Sequence, residues 1–138
     1  MLAGVSPKLS ALILTAVLGG CSSGEDQAKP KPVNGAPKQV AEVIARLEKA
    51  TAAGDFAAVC ALLTTEARAR AGGSVCAASL GSRARGVRRP SIRVLSIKVG
   101  SRNSSARIEA RAEGQAPVAE TLQLVREDGR YLIDGLGP

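Results

Sequence analysis

The chain has 138 residues, a formal net charge of +7, and 45% hydrophobic but only 1% aromatic residues. That length fits one domain with a modest core, and with Phe56 and Tyr131 as the only aromatics the core must be built from Ala, Val, Leu and Ile. The chain has no His, which excludes a Ser/His/Asp set and leaves general acid-base chemistry near neutral pH to a strongly shifted Asp or Glu; the protein is read as non-catalytic, with no cofactor.

Leu9 to Leu18 is apolar apart from Ser10 and Thr15, with Lys8 just ahead of it. The run is shorter than the ~20 residues needed to span a bilayer and suits the apolar centre of an export signal. It ends in Leu18-Gly19-Gly20-Cys21, which resembles the bacterial lipobox. The resemblance implies that residues 1–20 are a lipoprotein signal peptide and that Cys21 carries acyl chains. Those chains would hold the protein at the cell membrane, facing the extracytoplasmic side. One chain anchors only marginally, at ~0.8 kcal/mol per buried CH₂, whereas two or three hold firmly. The alternative is an ordinary secretory signal with a chance cysteine, since Met1 to Pro7 carries no Lys or Arg.

Residues 21–38 read as a flexible tether. Pro30, Pro32 and Pro37 bias it toward extended backbone, and Val33 is its only sizeable apolar side chain, too little to offset the entropy of ordering it. The folded domain is expected over residues 39–138.

Val40, Val43, Ile44 and Leu47 recur at helical spacing, predicting a helix over Lys38–Ala53 that Gly54 ends in a left-handed turn. Asp55 is placed to cap a second helix carrying Phe56, Val59, Cys60 and Leu63 on one face. Thr64-Thr65 offers a cap for a short third helix, Glu66–Ala71, and Ser74 one for a further short helix through Leu80. Gly81–Pro90 reads as a basic loop. Beyond Pro90 the period drops to 2. In Ser91–Val99 the apolar phase switches between Val94 and Leu95, predicting a β-bulge or burial on both faces. Ala106, Ile108, Ala110 and Ala112 alternate with charged residues in a second strand. Val118–Arg126 is a third strand, Asp128-Gly129 a hairpin turn, and Arg130–Leu136 a fourth strand. Helices followed by an antiparallel meander make an α+β layout.

The segments AAGDFAAVCALLTTEAR after an amphipathic helix, and EDGRYLIDGL closing the strands, resemble small bacterial lipoproteins with a nuclear-transport-factor-2-like (NTF2-like, SnoaL-like) domain. The resemblance implies N-terminal helices packed on a curved four-stranded antiparallel sheet, with a conical pocket between them. Tyr131, Ile108, Leu122 and Leu124 are the candidate pocket residues on that basis. Tyr131 occupies the position usual for tryptophan, and no early strand separates the helices. Both departures argue against a deep, aromatic-lined pocket.

Cys60 and Cys76 are the remaining thiols. In an extracytoplasmic protein two such cysteines most often pair; the alternative is two buried free thiols. No metal is expected, because two cysteines without His do not complete a tetrahedral shell. From Ala67 to Ile108 there is no Asp or Glu and there are ten Lys or Arg. Arg83, Arg85, Arg88, Arg89 and Arg93 in that window are candidate contacts for an anionic surface, either anionic lipid or an acidic envelope polymer; the bland alternative is a solvated loop. Nucleic acid is not expected, since no aromatics interleave with the basic residues.

The expected function is a lipid-anchored, non-catalytic binding or accessory module of the cell envelope. Its candidate partners are the membrane through the anchor, an anionic surface, and a small hydrophobic ligand or a protein. Two alternatives are an isomerase- or cyclase-type enzyme with a buried carboxylate facing Tyr131, and a structural protein that dimerises through its sheet.

Overall fold

A computed structural model describes residues 35–137. The expected leader, Cys21 and nearly all of the expected tether lie outside the described residues. Among those described, no helix is long and apolar enough to cross a membrane.

Helix α1 runs Ala36–Ala53, with Pro37 inside its first turn rather than ahead of it, where a missing N–H costs nothing. Gly54 ends it at φ 67°, its N–H bonding back to the carbonyls of Ala50 and Thr51. That left-handed C-cap is the one the sequence predicts. Helix α2, Phe56–Ala61, is capped by the Asp55 carboxylate, which accepts from the Ala58 N–H at 3.0 Å. Helix α3, Thr65–Arg70, is capped by Thr64, whose Oγ1 accepts from the Ala67 N–H at 3.0 Å.

The next segment departs from expectation. Ser74 does not cap a helix; it lies in a single 3₁₀ turn, Gly73–Val75, and helix α4 runs Cys76–Arg83. The basic stretch beginning at Gly81 is therefore helical for three residues. Gly81 lies within the helix and faces Phe56: a Cβ there would sit 3.4 Å from the Phe56 ring, in ordinary van der Waals contact.

Strands β1 (Ser91–Val99), β2 (Asn103–Arg111), β3 (Val118–Glu127) and β4 (Arg130–Gly137) form one antiparallel sheet in the order β1-β2-β3-β4. The register between β1 and β2 shifts between Val94 and Ser96, leaving Leu95 as the extra residue. The predicted phase change is thus a bulge, and it keeps Ile92, Val94, Ile97 and Val99 on the same face. A second irregularity lies between Gln123 and Leu124 opposite β4, with Asp134 the added residue. Two bulges bend a sheet, and this one curves over α1. Asp128 (φ 49°) and Gly129 (φ 77°) both take positive φ, the signature of the tight hairpin turn that their sequence predicts.

The concave face of the sheet closes on α1. Val40, Val43 and Ile44 pack with Ala106, Ile108, Leu122, Leu124, Tyr131 and Ile133. The residues between α2 and α3 lie along the β4 edge: Ile133 donates to Leu62 O at 2.8 Å and Thr64 donates to Ile133 O at 2.9 Å. This single parallel bridge at Leu63 stands where an early strand would be.

Candidate anionic-surface interface

The concave face offers little room for a ligand. Leu124 is fully buried, and Ile108, Leu122 and Tyr131 are at most 7% exposed. These four residues, expected around a cone, sit in the core against α1, which fills the space they enclose. The Tyr131 ring also faces the Arg126 guanidinium, 6.0 Å from its centroid. Among the described residues the buried polar side chains are Thr64 and Ser104, with no Asp or Glu buried.

Asp55 is spent on its helix cap. Asp134, on the β4 bulge, accepts from Thr64 Oγ1 at 2.9 Å and lies 3.9 Å from Arg70. It fastens α3 to the sheet. Cys60 and Cys76 form a disulfide that ties α2 to α4.

The convex face is different. Strand alternation puts Ser105, Arg107, Glu109 and Arg111 of β2 on it, opposite Arg93, Ser96 and Lys98 of β1. Arg93, Lys98, Arg107 and Arg111 are all exposed. Glu109 sits among them, accepting from Arg111 Nε at 2.6 Å and lying 3.9 Å from Arg93. The bond from Arg111 holds the Glu109 carboxyl below its ordinary value near 4.5, aided by the charges of Arg111 and Arg93 and opposed by desolvation.

The loop after α4 carries further charge, next to the end of α1, where Ala84, Val87 and Arg89 share a groove with Thr51–Gly54. Arg83, Arg85, Arg88 and Arg89 are exposed, and the loop is fixed to the end of β2 where the Glu113 N–H donates to Arg88 O at 2.8 Å. Arg89 pairs with Glu113 at 3.4 Å. The acid-free window of the sequence is therefore not free of acids in space. Glu109 and Glu113, both beyond its end, fold back onto Arg93 and Arg89. Arg83, Arg85, Arg88, Lys98 and Arg107 keep no carboxylate in ion-pair range among the described residues.

The candidate set drawn from the window left out Lys98 and Arg107, which the sequence places in strands, and Arg111, which lies beyond the window's end. The signal for Arg107 and Arg111 was present in the alternation of β2, but their proximity to Arg93 depends on the register. Among the described residues no group of three or more His, Cys, Asp or Glu is placed to hold a metal ion.

No family model matches the chain, and no curated protein does. A solved structure does: an NTF2-like protein of unknown function from Shewanella baltica OS155, with a TM-score of 0.54 at 10% identity. The match covers 74% of this chain and 94% of that one. At that identity the likeness shows the fold, which is NTF2-like, with the α+β arrangement that the sequence predicts.

Proposed function

We propose that this protein is a lipid-anchored, extracytoplasmic, non-catalytic binding module of the cell envelope, and that its convex β1-β2 face with the adjoining loop engages an anionic surface. The observation that carries this reading is the array of Arg83, Arg85, Arg88, Lys98 and Arg107, exposed and without carboxylate partners among the described residues. Near an anionic surface each basic side chain contributes ~1 kcal/mol. The same array opposes face-to-face dimerisation through the convex side, which would set like charges against each other.

The test is binding of the chain from Ser22 onward, which lacks the anchor cysteine, to vesicles of phosphatidylglycerol and phosphatidylcholine. Binding should fall steeply as salt rises, and the pair Arg88→Glu and Arg107→Glu should weaken it at least tenfold. Indifference to both salt and charge reversal would remove the electrostatic interface. Because the Glu109 pKa is lowered, the stability its ion pairs contribute is present above about 4.5 and is lost as pH falls through its folded value. Vesicle affinity should rise over that same acidic range as Arg93 and Arg111 are released. Glu109→Gln should reproduce the gain at pH 7.

A further inference from the structure

On α1, the residues Gln39, Val43, Arg46, Ala50 and Ala53 form a stripe beside the core-facing one. At 1.5 Å per residue it is about 21 Å long. Two open concavities lie along it and meet at Arg46, Ala61 and Leu62. The first, about 380 Å³, lies between Gln39, Glu42 and Arg46 on one side and Gly129–Leu132 on the other. The second, about 330 Å³, follows the seam between α1 and α2 and is floored by Ala50, Ala53, Ala58 and Ala61. The seam stays open because four methyl groups are too short to fill the space between two packed helices. Together they make one trough with a polar end and an apolar end.

The polar end is built for an anion. Arg46 and Arg130 both line it, both exposed and without a carboxylate in ion-pair range among the described residues. Ile133 spends its backbone N–H and C=O on Leu62 and Thr64. Tyr131, two residues earlier on β4, points its own N–H and C=O to the same edge, at the trough, where neither bonds to the Leu62–Thr64 segment. At the apolar end Lys49 is on the rim, and Asp55 is already engaged by the Ala58 N–H. Glu42, one turn before Arg46, disfavours a ligand with more than one negative charge.

We propose that this trough binds a fatty acid anion, its carboxylate held by Arg46, Arg130 and the Tyr131 N–H and its alkyl chain laid along Ala50, Ala53, Ala58 and Ala61. The site is separate from the basic convex face, so either one stands if the other fails. The alanine floor gives the chain a smooth apolar bed open to solvent on one side, so chain length rather than branching sets affinity, and release does not require the domain to unfold.

The probe is laurate below its micelle concentration, titrated into the chain from residue 21 onward carrying Cys21→Ser, with amide NMR shifts and calorimetry as readouts. Saturable binding of one laurate should perturb Gln39–Ala53, Ala58–Leu62 and Gly129–Leu132. Arg46→Gln should weaken it about tenfold, the scale of one charged hydrogen bond, and lauryl maltoside, with the same tail and a neutral head, should bind at least tenfold more weakly than laurate. Ala58→Phe should fill the seam and abolish binding; Ala53→Leu, at a more exposed position, does the same with less risk to folding. The proposal is overturned if laurate does not saturate, if the shifts fall on Arg93 and Arg107 instead, if Arg46→Gln together with Arg130→Gln leaves affinity unchanged, or if hexaglutamate or lysophosphatidylglycerol occupies the trough more tightly than laurate.

Discussion

Against α1 the sheet packs Ile108, Leu122, Leu124 and Ile133, whereas α2 to α4 bury mainly small side chains, Val59, Cys60, Ala67 and Cys76. The first region is held by apolar area, at roughly 25 cal/mol per Å² removed from water. The second has too little of it and relies on discrete ties. Its disulfide joins α2 to α4, Arg68 Nε donates to Cys60 O at 3.1 Å, and Thr64, Asp134 and Arg70 fasten α3 to β4. A chain almost without aromatics can close one good core, and the remaining helices need a covalent link to stay in place. The same contrast separates the ligand trough from the core. Where branched side chains meet, the space is filled; where alanines meet, a groove remains.

The contrast breaks most sharply at Leu124, which is fully buried. Leu124→Ala should cost about 2–5 kcal/mol, measured by urea unfolding, because both transfer energy and a cavity are involved. A loss under ~1 kcal/mol would mean that the sheet core is not the dominant source of stability. The double change Cys60→Ala and Cys76→Ala opens a loop of sequence separation 16 and should cost ~3 kcal/mol. Its effect should centre on α2 to α4: amide exchange should accelerate there while β2 and β3 stay protected. Uniform acceleration across the domain would show that the two regions unfold as one. The smallest effect is expected at Ser104, 3% exposed, whose Oγ has no hydrogen-bond partner among the described residues. Ser104→Ala removes an unpaired buried hydroxyl, so thermal unfolding should shift slightly upward; a clear destabilisation would reveal a partner for that hydroxyl.

The amino-acid sequence by itself determined the features whose physics is local. Asp55 and Thr64 cap the helices that follow them, Gly54 takes a left-handed turn, Asp128-Gly129 folds back the last hairpin, and the phase change at Leu95 is a bulge, each because a few adjacent residues suffice to set the geometry. Ser74 was the local signal that failed: it lies in the 3₁₀ turn Gly73–Val75, and α4 starts at Cys76, the residue held by the disulfide, and runs three residues past Leu80 to Arg83. Only the tertiary structure decided how the charges group and whether the concave face is hollow. Glu109 and Glu113 reach Arg93 and Arg89 through β-sheet register and loop closure, and Ile108, Leu122 and Leu124 become core rather than pocket because Val40, Val43 and Ile44 of α1 fit against them. Charge pairing and packing act between residues far apart in the chain, so neither can be read from any one stretch of it.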